Sequence, residues 1–180
     1  MYSNKESINI LTSLLVSHDI KRLVACPGSR NAPIIHNINE CPEIELYPVT
    51  DERSAGFIAL GLALADNKPV AICVTSGSAM LNLAPAMAEA SLRQRSLIVI
   101  TADRPAAWIG QLDGQTLNRP YAFGSLVSKC VSLPEPVNDE QRWYCNRLIN
   151  EALIAAKVKG AKPVHINVPI SEPLFVFDVE

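Results

Sequence analysis

Val70-Ala71-Ile72-Cys73-Val74-Thr75 runs directly into Ser76-Gly77-Ser78. The first six residues are apolar or β-branched with no alternation, the pattern of a strand buried on both faces. The next three are turn residues. A helical stretch follows to about Arg93, with Pro85 inside it, so a kink or a late start is expected there. Strand, tight turn and helix in that order form half of a βαβ unit.

The pattern repeats outward in both directions. Upstream, Leu23-Val24-Ala25 is a short buried strand, Pro27-Gly28-Ser29-Arg30 turns the chain, and Pro33 suits the first turn of the next helix. Ile44 to Val49 is a second strand, and Asp51 caps a helix through about Ala65. Downstream, Leu97 to Thr101 and Val127 to Leu133 read as strands. Asp139 to Lys159 is a helix with acids in its first turn, Lys157 and Lys159 in its last, and Gly160 just beyond. Val164-His165-Ile166-Asn167-Val168 is the last strand. At the start, Ser3-x-x-Glu6 reads as a capping box, with Ile8, Leu11 and Leu15 following at helical spacing. After Pro169 the chain runs through Glu172-Pro173-Leu174 to a polar end, as a linker would. The alternation predicts an α/β fold in three layers, an about six-stranded parallel sheet with helices on both faces. Residues 1–180 are expected to form a single domain. Only Asp103 to Pro120 shows no periodicity, and a stretch of that length is usually functional or mobile.

Composition narrows the function. Hydrophobic residues make up 48% and charged residues 19%, which supports a real core, and the net charge is −2. No basic stripe suggests a nucleic-acid partner. The densest apolar run, Phe57 to Ala65, is too short for a membrane span and is broken by Gly61. The polar start, Met1 to Glu6, lacks a signal-peptide core. Cys26, Cys41, Cys73, Cys130 and Cys145 form no C-x-x-C pair, so reduced thiols of a cytoplasmic protein are expected. His18, His36 and His165 are scattered, no cluster argues for metal, and His165 reads as a structural histidine. No G-x-S-x-G marks a nucleophile elbow.

In such sheets ligands lie at the carboxyl ends of the strands. Four turns fall there: Pro27-Gly28-Ser29-Arg30, Thr50-Asp51-Glu52-Arg53, Thr75-Ser76-Gly77-Ser78 and Asp103-Arg104-Pro105. Each also has a plain reading. Ser29 and Arg30 precede a helix N-terminus that favours an anion, or are a capping serine and a solvated arginine. Glu52 is a candidate site acid, or simply an acid favoured by the helix dipole. Thr75-Ser76-Gly77 is a candidate phosphate turn without a Walker lysine, or a plain strand-to-helix turn.

Taken together, the turns resemble the thiamine-diphosphate enzyme superfamily. The shared order is Pro27-Gly28, then a strand-end Glu52, then Thr75-Ser76-Gly77 with Asn82. Within it the chain is most similar to the 2-succinyl-5-enolpyruvyl-6-hydroxy-3-cyclohexene-1-carboxylate synthase family of menaquinone biosynthesis. The motifs are Cys26-Pro27-Gly28-Ser29-Arg30, Asp51-Glu52-Arg53 running on to Gly61-Leu62-Ala63, and Thr101-Ala102-Asp103-Arg104-Pro105. The resemblance covers nearly the whole chain and implies the pyrimidine-binding domain.

The resemblance implies a transferase reaction: 2-oxoglutarate is decarboxylated on thiamine diphosphate and its succinyl unit adds to isochorismate. Pro27, Glu52, Thr75, Ser76, Gly77 and Asn82 would bind the cofactor. Glu52 would be catalytic, hydrogen-bonding a pyrimidine nitrogen and favouring the imino tautomer that takes the thiazolium proton. Ser29, Arg30, Arg104 and Gln115 would bind isochorismate or the intermediate; an arginine fork suits a planar carboxylate.

The sequence departs from the family in three ways. Gly114 stands where the family commonly has asparagine before Gln115, and Asn31-Ala32 replaces the usual Ser-Thr. The Gly-Asp-Gly…Asn motif of the diphosphate domain, which holds Mg²⁺ or Mn²⁺, does not occur, so no residue here is assigned to metal. The chain is therefore expected to be a piece cut near a natural linker, inactive alone. Its site would be completed by the diphosphate domain of a second subunit in a homo-oligomer. The face bearing Pro27, Glu52 and Gly77 would be a partner surface, with Phe57-Ile58 and Met80-Leu81 unusually exposed beside it. Two other readings stay open: the small subunit of a split thiamine-diphosphate decarboxylase, and a non-catalytic α/β binding module.

Overall fold

The computed structural model describes residues 1–117, 122–158, 160 and 162–180. The elements in chain order are β1 (Tyr2–Ser3), α1 (Glu6–Ser17), β2 (Arg22–Ala25), α2 (Ala32–Glu40), β3 (Glu45–Pro48), α3 (Glu52–Asp66), β4 (Val70–Val74), α4 (Ala84–Leu92), β5 (Leu97–Asp103), β6 (Lys129–Ser132), α5 (Asp139–Ala155), β7 (Val164–Pro169) and β8 (Phe177–Val179). A 3-10 helix, Gly77–Leu83, leads into α4.

Six strands form one sheet in the order β3-β2-β4-β5-β7-β6. Every pairing in it is parallel. Successive side chains of a strand point to opposite faces, and the two cores follow that rule. Leu23, Ala25, Ala71 and Cys73 pack beneath α1, α2 and α5. Val24, Val70, Ile72 and Val74 pack with α3 and α4 on the other face. This is the expected three-layer α/β fold. The chain moves outward from β2 to β3, then crosses back to place β4 on the other side of β2. The gap between the carboxyl ends of β2 and β4 is thus a switch point, where open α/β sheets bind ligands.

Several local expectations change. Ser3 is not a helix cap. It lies in β1, its N–H donates to Asn37 Oδ1 at 2.7 Å, and Lys5 is the uncapped N-cap of α1. Sheet pairing of Ser3 with Phe177 holds it away from the helix start. That same pairing overturns the linker reading of the C-terminal residues, since β8 returns antiparallel to β1. Pro85 produces the late start: the 3-10 helix comes first and α4 begins at Ala84. The helix from Asp139 ends at Ala155. Lys159, and Asn118 to Pro120 at the end of the aperiodic stretch, lie outside the described residues.

At the opposite end of the sheet lies a cavity of about 490 Å³, lined by residues that include Lys68, Arg93 and Lys157. These cations stand near helix C-termini, where they complement the dipoles. Lys157 donates to the His18 carbonyl. The cavity is remote from the strand-end turns. No helix among the described residues is long and apolar enough to cross a membrane.

Candidate functional site

The switch point is closed by direct contact between two turns. A Cβ at Gly28 would lie 2.4 Å from the Thr75 Cβ, so only glycine lets the β2 turn approach the β4 turn this closely. Asn31 pins the approach from below. It is fully buried and donates from Nδ2 to the Cys26 carbonyl at 2.9 Å, with Cys73 Sγ at 3.6 Å. The asparagine that departs from the family pattern therefore ties the ends of β2 and β4 together. Pro27 and Ser29 are exposed at this edge.

Arg30 is not a solvated arginine. It is buried, donates from one terminal nitrogen to the Ile170 carbonyl at 2.9 Å, and pairs through the other with Glu172 at 3.1 Å. Its fork joins the β2 turn to the segment after β7.

Asp51 caps α3 as expected, its Oδ1 accepting from the Ser54 N–H at 2.8 Å. Glu52 is the first residue of α3 and is half-buried. Its carboxylate makes no hydrogen bond or ion pair among the described residues. The next turn of the helix is anchored by buried Ala55 and Gly56. Beneath it, burial pushes the Cys26 thiol up to about 12, and the charges of Glu52 and Asp51 push in the same direction.

The fourth turn reaches the third. Arg104 donates to Ser76 Oγ at 3.1 Å and pairs with Asp113. Its backbone N–H donates to Asp103 Oδ1 at 2.8 Å. The loop then folds back so that Gln115 lies against Gly77, and Gly77 takes the left-handed φ of +81° that a side chain resists. Ser76, Gly77, Arg104 and Gln115 are thus brought together. Asn82 is turned back onto the Ser78 carbonyl at 3.2 Å, inside its own 3-10 helix. Gly114 is exposed and a Cβ there would meet only open space. Sequence reasoning missed Asp113 and Glu172, the acids that hold Arg104 and Arg30. Neither stands in a periodic element, so no spacing marked them.

Of the apolar residues expected beside this face, Phe57 (46%), Ile58 (42%) and Leu81 (45%) are exposed. Met80 is not; it is fully buried in the core shared with α3 and α4, because the 3-10 helix turns it inward.

An acid next to the switch point, with no protein partner among the described residues, fits one end of a nitrogen heterocycle. Arg104, in the turn after β5, carries donors that fit an anionic substrate, while the fork of Arg30, in the turn after β2, is engaged by Ile170 and Glu172. No group of three or more His, Cys, Asp or Glu positioned for a metal occurs among the described residues.

Residues 7–120 match the family described as thiamine pyrophosphate enzyme, N-terminal TPP binding domain. The chain is 59% identical over its whole length to a 2-succinyl-5-enolpyruvyl-6-hydroxy-3-cyclohexene-1-carboxylate synthase of Bacteroides fragilis, of which it covers 32%. Synthases of the same name from Bacteroides thetaiotaomicron and Desulfotalea psychrophila are 57% identical over 100% of the chain and 42% identical over 95% of it, and the chain again covers 32% of each. The chain therefore spans about a third of the length of the curated relatives it matches. In three dimensions it resembles the thiamine diphosphate-dependent 4-hydroxybenzoylformate decarboxylase of Rhodococcus jostii RHA1. The TM-score is 0.77 at 20% identity, over 91% of this chain and 30% of that one, a likeness of fold.

Proposed function

The chain belongs to the thiamine pyrophosphate enzyme family through its N-terminal TPP binding domain, and from that premise we propose that it is the pyrimidine-binding part of a 2-succinyl-5-enolpyruvyl-6-hydroxy-3-cyclohexene-1-carboxylate synthase. The observation that carries this reading is Glu52: a half-buried acid beside the switch point, with no protein partner among the described residues.

When bound, thiamine diphosphate supplies the chemistry by which 2-oxoglutarate loses carbon dioxide and passes its succinyl unit to isochorismate. Pro27, Thr75, Ser76 and Gly77, in the turns after β2 and β4, and Asn82, in the 3-10 helix that follows, would bind the pyrimidine in this reading. Glu52 faces a ring nitrogen in this reading. Its carboxyl would hold a proton at that nitrogen. In this reading Arg104 and, on release from Glu172, Arg30 would give donors to a carboxylate, with Ser29 and Gln115 at the rim. Mg²⁺ or Mn²⁺ and the diphosphate are held by the part of the enzyme outside these residues, contributed by a second subunit of a homo-oligomer. Five free cysteines fit a reducing, cytoplasmic setting.

The test is a product assay on the full-length synthase with thiamine diphosphate, Mg²⁺, 2-oxoglutarate and isochorismate. The succinylated cyclohexene carboxylate is expected, and the 180-residue chain alone is expected to form none. Carbon dioxide release without transfer to isochorismate would point instead to a decarboxylase. Synthase activity from the isolated chain would overturn the half-site reading.

A further inference from the structure

Five side chains form a continuous hydrogen-bonded path from the β6 edge of the sheet to the Asp103–Arg104 turn. Cys130 Sγ lies 3.3 Å from His165 Nδ1, and His165 Nε2 lies 2.7 Å from Thr101 Oγ1. Thr101 donates to Asn167 Oδ1 at 2.9 Å. Asn167 Nδ2 donates to Asp103 Oδ2 and to Ser132 Oγ, each at 3.2 Å. Asp103 Oδ1 in turn accepts the Arg104 backbone N–H. Thr101, His165, Asn167 and Asp103 are all buried.

The direction of the path follows from its end. The Asp103 carboxylate accepts at both oxygens, so Asn167 presents its amino group there and its carbonyl oxygen must accept. Thr101 has one proton and gives it to that carbonyl. The Thr101 oxygen then accepts from His165 Nε2–H. This leaves Nδ1 as the acceptor of the Cys130 S–H, and burial, which pushes that thiol up to about 11, keeps the S–H in place. This assignment gives each hydrogen bond named here one donor and one acceptor, with His165 neutral and protonated at Nε2.

Buried polar side chains are costly in a sheet unless hydrogen-bonded, and Val99 and Phe123 on the same face show that apolar residues pack here. What the path fixes is the Asp103 carboxylate, and through it the backbone of Arg104. We propose that His165, Thr101 and Asn167 are positioning residues for Arg104, a one-directional relay that aims its guanidinium at the site. The proposal rests on the reading of Arg104 as a substrate-binding residue.

Two measurements test it. In the 180-residue chain labelled with ¹⁵N-histidine, at neutral pH, His165 is expected as the neutral Nε2–H tautomer, assigned by its loss in His165→Gln. An Nδ1–H tautomer or an imidazolium would overturn the relay without recourse to any kinetic variant. In the full-length synthase, Thr101→Val breaks the path at nearly constant volume, and Thr101→Ser keeps it. Thr101→Val should raise the KM for isochorismate about 10- to 100-fold, the scale on which outer positioning partners act. It should leave 2-oxoglutarate decarboxylation unchanged, and Thr101→Ser should behave as the parent. Equal loss in both half-reactions, or a parent-like Thr101→Val, would overturn it. Arg104→Ala, measured alongside, separates the premise: an unchanged KM there removes the substrate-binding reading of Arg104 itself.

Discussion

Gly77 lies directly against Gln115: a Cβ at Gly77 would stand 2.9 Å from both the Cα and the Cβ of Gln115. The aperiodic loop is therefore seated on the turn after β4, and the seat has no room for a side chain. Gly77→Ala adds a methyl group to that contact and holds alanine at a φ of +81°. Backbone strain of this kind costs about 1–3 kcal/mol. The urea midpoint should fall accordingly, and limited proteolysis should cut faster between residues 105 and 117. An unchanged cutting pattern would show that the loop is held elsewhere.

Glu52→Gln keeps size and one hydrogen bond but cannot exchange a proton. General acid–base groups contribute typically about 10²–10⁴-fold. The full-length synthase should lose turnover in that range with the cofactor still bound. Hydrogen–deuterium exchange at the thiazolium carbon should slow in parallel. Exchange and turnover within a few-fold of the parent would reduce Glu52 to a helix-start acid.

Arg30→Lys keeps the charge but loses the fork that now spans Ile170 and Glu172. Apparent affinity for isochorismate should drop while 2-oxoglutarate decarboxylation is far less affected. Because the fork also ties two segments together, the melting temperature should fall. A lower melting temperature with unchanged isochorismate affinity would assign Arg30 to structure alone.

Burial pushes the thiols of Cys26, Cys73 and Cys145 up to about 12 and that of Cys130 up to about 11, from an ordinary value of 9.0. The folded chain keeps these protons where the unfolded chain releases them. Their contribution is complete below the unfolded value and is lost as pH rises from there through the folded values. Urea midpoints should be flat from neutral pH up to that unfolded value and decline above it, and Cys145→Ala should flatten part of the decline. A midpoint rising in alkali would contradict the assignment.

Phe57, Ile58 and Leu81 form an apolar surface beside the site. The 180-residue chain should self-associate through it at high concentration, as sedimentation would show. Phe57→Glu with Ile58→Glu should leave a monomer with a nearly unchanged melt, since both side chains already face outward. Association that survives the double change would place the contact on another face.

The centre of the sheet was legible because β4 and most of β5 are uninterrupted apolar runs. The core alternation in Ala71-Ile72-Cys73 and the cap at Asp51 depend on neighbours in sequence, which spacing can carry. The motif turns were legible as strand ends. Their partners were not: Arg104 meets Asp113 through a loop with no period, and Arg30, after β2, meets Glu172 from the segment after β7, three strands away. The two-residue β1 lay below any repeat, and its serine mimicked a cap. His165 read as an isolated core histidine because strands two places apart in sequence become neighbours only when β5, β7 and β6 assemble.

The pairing of Tyr2 with Val179 gives the fold a clasp. Residues 2 and 179 therefore lie side by side, while the loop at Ala106–Trp108 is exposed. A short peptide joining Glu180 to Met1, with a new opening cut in that loop, would leave every strand pairing intact. What holds the sheet together is pairing between strands that are neighbours in space, and the point at which the chain enters that set of pairings is interchangeable.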